Sequence, residues 1–364
     1  MAEIEQQRQA DTKTPTQGQP PEPGLVGRFL RSKWFPWASW GLSAVALGYV
    51  VSRLRLSELR TDLSGITWWL VILAILLQVL PRLLEGLRWE YLLRPLHLRF
   101  RHLLQAIYVG TLFSGILPLS GGDVIRGVMV ARRARVHVMR VLSTEFVERI
   151  SDAVAIIFVV WFTLRGLMLT FALRLGLAAL EVGVGLAVLL GILLIVQNVS
   201  IRNRFDAWKP KSRAARLIQP AGIEVIDAAA RLTPRPLVVS LSAAVAATVV
   251  NVVSFWCLAR AYHIHLALLD SAAVFAIIMI GTFLPNTPSN LGSWQFFCVV
   301  GLQLVGVSAA RAAGFSLVAF VIWTVPPIVA GFFVLLASPF SFSELRQNQR
   351  TSETPPPEQP GPSG

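Results

Sequence analysis

The sequence predicts an all-α, polytopic helical membrane protein with about six full spans and two broken, re-entrant helical hairpins in an inverted-repeat arrangement. Three observations lead there. Of 364 residues, 54% are hydrophobic and only 15% are charged, which is far more apolar than an ordinary soluble domain. The apolar residues form continuous runs near the ~20 needed to cross ~30 Å of hydrocarbon, unlike the short alternating strands of a barrel. Two runs are interrupted by Pro, then Gly and small polar residues: SGILPLSGGDVIRGVMVARR, from Ser114 to Arg133, and TFLPNTPSNLGSWQF, from Thr282 to Phe296. Freed backbone survives at membrane depth only when buried in protein or lining a cavity, so function is expected at these breaks.

The net charge of +13 comes from Arg residues clustered in short loops beside apolar runs, the pattern of the positive-inside bias. Nucleic acid is therefore not expected as a partner; a membrane lipid is. Cys257 and Cys298 lie in apolar runs without metal-ligand spacing and read as packing residues. The five histidines include no HExxH, and the chain has no GxxxxGK[ST]. Neither a metal nor another cofactor is expected, and ATP-driven transport by this chain alone is not expected either.

Residues 1–27 are rich in Gln, Pro and Thr and read as a disordered tail, as do residues 341–364, which end in TPPPEQPGPSG; the membrane domain is expected over 28–340. The first span is expected at Trp34 to Ser52, anchored by Trp34, Trp37 and Trp40. Arg53 to Ile66 reads as a surface stretch on the far side, and Trp68 to Leu84 as the return span, with Arg82 and Glu85 as a snorkelling pair at its end. Leu103 to Leu117 is only ~22 Å long as a helix. Basic residues at both ends of the first broken unit place it as a hairpin entering from the cytoplasm. Ile150 to Leu164 and Leu175 to Val196 read as spans, and residues 198–236 as a basic cytoplasmic segment suited to an anionic lipid surface or to a solvated linker. Leu237 to Leu258, the broken unit Leu266 to Val307, and Ala312 to Leu336 complete the chain. Charge parity puts both termini in the cytoplasm and opens the second unit outward. The expected location is the cell membrane.

These residues also carry a family resemblance. Leu117, Pro118, Gly122, Asp123 and Arg126 form a Leu-Pro-x3-Gly-acid-x2-Arg pattern. Glu148, Arg149 and Asp152 form Glu-Arg-x2-Asp, and Leu284, Pro285, Pro288, Leu291 and Gly292 form Leu-Pro-x2-Pro-x2-Leu-Gly. Arg88 and Trp89, with Leu92 and Leu93 nearby, look like an upstream element. Taken together the set resembles the lysylphosphatidylglycerol synthetase transmembrane region, or flippase-like domain, over roughly Leu42 to Leu336. The resemblance implies lipid translocation or handling and no aminoacyl transfer, for which there is no room. Two departures stand out: Asp123 replaces the usual Glu, and Trp294 with Gln295 stands where relatives carry Arg-Glu.

The candidate headgroup residues follow. Pro118, Gly121 and Gly122 make the inner break, reading as a turn through the glycine pair. Asp123 and Arg126 then share a face at a helix start, where N–H groups and a guanidinium fork favour a phosphate. Their alternative is an ion pair that only closes the hairpin. Glu145, Glu148, Arg149 and Asp152 form one charged stripe on the next helix, with Arg149 as its expected centre, acting as a gate or as a brace. In the outer break, Pro285, Asn286, Pro288, Asn290, Gly292 and Gln295 supply neutral groups that bind lipid hydroxyls or satisfy freed carbonyls. The expected function is translocation of an anionic or polyprenyl-phosphate-type lipid between the two breaks, without catalysis. The alternatives are a lipid-linked transferase using Glu58 and Asp62, or a non-transporting membrane partner.

Overall fold

The computed structural model describes residues 34–55, 62–96, 98–116, 121–136, 138–163, 234–282 and 288–337, with a few isolated positions between 178 and 186. The tails, nearly all of the expected span Leu175 to Val196, residues 198–233 of the basic segment, Glu58, Pro118, Pro285 and Asn286 lie outside the described residues.

Every regular element among the described residues is helical. In order they are α1 (Trp34–Arg53), α2 (Trp68–Leu77), α3 (Val79–Leu92), α4 (Phe100–Ile116), α5 (Gly121–Ala134), α6 (Val138–Thr163), α7 (Pro234–Ala261), α8 (Leu268–Thr282), α9 (Ser293–Leu304) and α10 (Ala309–Leu336). Single 3-10 turns stand at Arg94–Leu96 and Pro288–Asn290. Three described helices are long and apolar enough to cross a membrane: Trp68–Leu92, which joins α2 and α3 through Gln78, then Arg235–Ala261 and Ala309–Leu336. The second helix therefore continues well past Leu84, because no proline intervenes before Pro95 and the single glycine, Gly86, is buried within the helix.

An order repeats along the chain. A long helix, two short helices and a second long helix appear first as α2–α3, α4, α5 and α6, then as α7, α8, α9 and α10. The packing repeats too: α4 lies against α10, the closing helix of the other set, while α8 lies against α6. The two opening helices pack on each other. α1 stands outside the repeat and covers α9, with the Tyr49 and Phe296 rings edge to face at 5.4 Å.

Glycine permits two close approaches. Gly121 and Gly122 do not form the turn: both belong to the first turn of α5, and neither has positive φ. A Cβ on Gly122 would meet Gly110 O at 2.0 Å and Ser114 N at 2.6 Å, so the bare Cα is what lets α4 and α5 close on each other. At the second break the backbone is left-handed at Ser289 (φ 57), Asn290 (φ 57) and Gly292 (φ 91). The Gly292 Cα faces Ser43 O of α1, which would lie 2.4 Å from an added Cβ.

One end of the bundle is tied by its loops. Thr67 N donates to Ala261 O at 3.1 Å, His263 Nε2 to Gly65 O at 2.6 Å, and Arg311 Nη2 to Tyr262 O at 3.2 Å. Asp62, the alternative catalytic acid, pairs here with Arg311 at 3.7 Å. Cys257 and Cys298 are both free and buried.

Candidate functional site

Three helices supply a charged cluster inside this apolar body. α3 contributes Arg82, Glu85 and Arg88, which share a face by their three-residue spacing. α5 contributes Asp123, placed in its first turn where the helix dipole favours an acid, and Arg126 one turn on. α6 contributes Glu145, Glu148, Arg149 and Asp152.

The centre of the cluster is Arg126, not Arg149. Only 5% of the Arg126 side chain is exposed, and it faces four carboxylates. Nη1 donates to Glu85 Oε1, and Nη2 to Glu148 Oε2 at 3.1 Å. Nε lies 3.3 Å from Glu145 Oε1 and 3.5 Å from Asp123 Oδ1. The guanidinium also stacks over the Trp89 ring, 4.8 Å from its centroid. Arg88, 7% exposed, is the second core cation. Its Nε donates to Glu148 Oε1 at 3.0 Å, and its terminal nitrogens grip Asp152 at 2.5 and 3.1 Å. Glu148 thus spends one oxygen on each buried arginine and stitches α3, α5 and α6 together.

The rim is open. Arg149 is 56% exposed and donates to Asp123 Oδ2. Arg82 is 35% exposed and holds Glu85 Oε2 at 2.8 Å. Arg82 and Glu85 are therefore no isolated snorkelling pair, because Glu85 also anchors Arg126.

Of the residues expected at the inner site, Asp123, Arg126, Glu145, Glu148, Arg149 and Asp152 come together here, while Gly121 and Gly122 open the helix that carries Asp123 and Arg126. Arg126 does not stand open to a phosphate: both terminal nitrogens are taken by carboxylates. The exposed cation is Arg149. Arg88, Glu85 and Arg82 were missed as site members, although three charges at i, i+3 and i+6 in an apolar run are a signal in themselves.

The outer group lies elsewhere and mostly serves its own backbone. Gly292 N donates to Gln295 Oε1 at 2.7 Å, and Ser293 Oγ to Asn290 O at 3.1 Å. Trp294 and Gln295 are both buried. The Pro288–Asn290 turn packs on α4, where Ser289 Oγ donates to Gly115 O at 3.3 Å. The two breaks therefore touch. α10 runs past the same place, its Ile328 beside Gly115, with Pro326 and Pro327 removing two helix hydrogen bonds nearby.

A family model for the lysylphosphatidylglycerol synthase transmembrane region matches residues 37–331, from α1 through most of α10. The chain belongs to this family. Comparison with curated proteins and with solved structures gives no match. The family match spans the charged cluster, both breaks and the repeat.

Proposed function

We propose that this family member is a membrane lipid translocase, not an enzyme, which moves an anionic or polyprenyl-phosphate-type lipid through a cavity between its two broken-helix units. The observation that supports it most is the contact of the two breaks with each other, Ser289 against Gly115, beside a buried charged cluster. Broken helices meeting near the midplane of a repeated fold are the arrangement through which transporters expose one site to alternate sides. The exchange of closing helices between the two sets supports an inverted repeat.

In this reading the cluster end is cytoplasmic, as the loops and helix ends there hold Arg94, Arg99, Arg101, Arg132, Arg133 and Arg135. Both termini then lie on that side, with the domain in the cell membrane. The enclosed arginines, Arg88 and Arg126, fix the geometry, while the exposed Arg149 meets the headgroup by exchanging Asp123 for a phosphate oxygen.

The test is translocation of tail-labelled lipids in proteoliposomes across anionic, polyprenyl-phosphate and neutral headgroups. Arg149→Gln is expected to slow anionic substrates by about tenfold, the loss of one charge-assisted hydrogen bond. It should leave thermal stability within about 1 kcal/mol, as for an exposed ion pair. Wild-type protein that moves none of these lipids faster than empty liposomes would refute the reading.

A further inference from the structure

The cluster contains more acid than base. Five carboxylates (Glu85, Asp123, Glu145, Glu148 and Asp152) face four guanidinium groups (Arg82, Arg88, Arg126 and Arg149). Four of the acids receive a hydrogen bond: Glu85 from Arg82 and Arg126, Asp123 from Arg149, Glu148 from Arg88 and Arg126, and Asp152 from Arg88. Glu145 is left over. Its Oε1 is fully buried without a hydrogen-bond partner, and so is the Nε of Arg126 that faces it at 3.3 Å. A negative charge on that carboxyl would have one buried oxygen with no hydrogen bond, facing a single guanidinium nitrogen already shared with Asp123, and little water for the rest, which is a costly state for a side chain.

Beyond that one contact with Arg126, the neighbours offer no hydrogen-bond donor to relieve it. α5 presents Asp123 and Arg126, with Gly127 directly under Glu145 Oε1. α3 presents Arg82, Glu85 and Arg88, all engaged. On α6 itself, Glu148, Arg149 and Asp152 are already bonded. α7, joined to α6 by the Ser151 and Ser240 hydroxyls, bears no acid and only Arg235 and Arg260, at its two ends. The acid of α8, Asp270, caps the other end of the bundle by accepting from Ala267 N.

We propose that Glu145 is a proton-binding site coupled to lipid movement: protonated, it leaves the cluster neutral and Arg126 locked on Glu85 and Glu148, and on losing its proton to cytoplasmic water it competes for Arg126 and loosens the seam between α5 and α6. The exchange is a simple one, with the carboxyl O–H bond breaking and the proton passing to water. It deepens the translocase reading and rests on it, because the proton becomes the coupling ion that sets the direction of lipid movement. A change of one charge among five competing acids is the kind of local event that biases a two-state element.

Two readouts test it. The first is infrared absorption of the protein in an ester-free detergent at neutral pH: a protonated-carboxyl band is expected in wild type and absent in Glu145→Gln. Absence of the band in wild type, or its persistence in Glu145→Gln, overturns the proton site even if translocation is intact. The second is the steady-state distribution of labelled lipid in proteoliposomes under an imposed pH gradient. One proton per lipid shifts that distribution by up to about tenfold per pH unit. Whatever rate Glu145→Gln, which mimics the protonated form, retains, the lipid distribution it reaches should not follow the gradient. A distribution indifferent to the gradient in wild type, or equally shifted in Glu145→Gln, overturns the coupling, as does a shift that follows sodium instead. A protein that moves no lipid removes the translocase reading and the coupling together, while the infrared band still decides whether Glu145 holds the proton.

Discussion

Replacing Arg126 by alanine is expected to destabilise the protein by about 3 to 5 kcal/mol, the cost of removing one partner from a buried ion network. The magnitude follows from what is left behind. Glu85 and Glu148 each lose a donor, Asp123 and Glu145 lose the charge they face, and the Trp89 ring loses the cation stacked on it. Three helices are joined through that one guanidinium, so the seam between α3, α5 and α6 should open as a unit. Thermal unfolding in detergent measures it. Arg126→Lys should recover only part of the loss, because a single ammonium cannot hold Glu85 and Glu148 on separate nitrogens of a rigid fork. An alanine variant as stable as wild type would mean that the cluster does not organise the hairpin.

Gly122→Val is expected to be nearly as severe, at about 3 kcal/mol or more, and for a reason unrelated to charge. The added Cβ would fall 2.0 Å from the Gly110 carbonyl oxygen and 2.1 Å from Ser114 Oγ, and the first of these obstacles is backbone. No side-chain rotation clears it. Only separation of α4 from α5 does, and that moves Arg126 away from Glu85. Gly110→Ala offers a comparison, because its Cβ would meet Arg126 Cβ and Gly122 O at 3.0 Å, a contact that small adjustments relieve. Thermal midpoints should fall steeply for Gly122→Val and modestly for Gly110→Ala; equal midpoints would contradict the close approach.

Much of the fold was legible because lipid makes backbone expensive. Pro118 and Pro285 with their glycines could sit inside apolar runs only as breaks, and the described parts of α4 and α8 reach to Ile116 and Thr282. The stripe on α6 was legible for the same kind of reason, since a helical period puts Glu145, Glu148 and Asp152 on one face whatever the tertiary structure. Other features had no local trace. Ending the second span at Leu84 turned Arg88 into a loop charge, and only the continuation of α3 brings it against Glu148 and Asp152. Which arginine stands at the centre depends on how deeply each is buried, and spacing is silent on depth: Arg126 and Arg149 look alike in sequence, yet one is enclosed and the other exposed. Gly122 was read as a turn residue because Gly-Gly after Pro is a turn signal. Its role at the crossing of α4 and α5 needed the partner helix to be seen.

The outer break shows how function and backbone economy can be confused. The carboxamide oxygen of Gln295 accepts from the Gly292 N–H. Ser289 bonds instead to the other break. Of the neutral outer groups described, Ser289 is therefore the one that links the two units.

That link offers the most direct test of lipid passage between them. Cysteines in place of Gly115 and Ser289, with Cys257 and Cys298 replaced by alanine, would lie close enough for a disulfide, since a Cβ on Gly115 falls 3.4 Å from Ser289 Oγ. The Ile328 side-chain tip, 2.6 Å from that Cβ, is free to rotate aside. Translocation of labelled lipid by the reconstituted variant should stop on oxidation and return on reduction. An oxidised, crosslinked protein that moves lipid as fast as its reduced form would contradict passage between the two breaks.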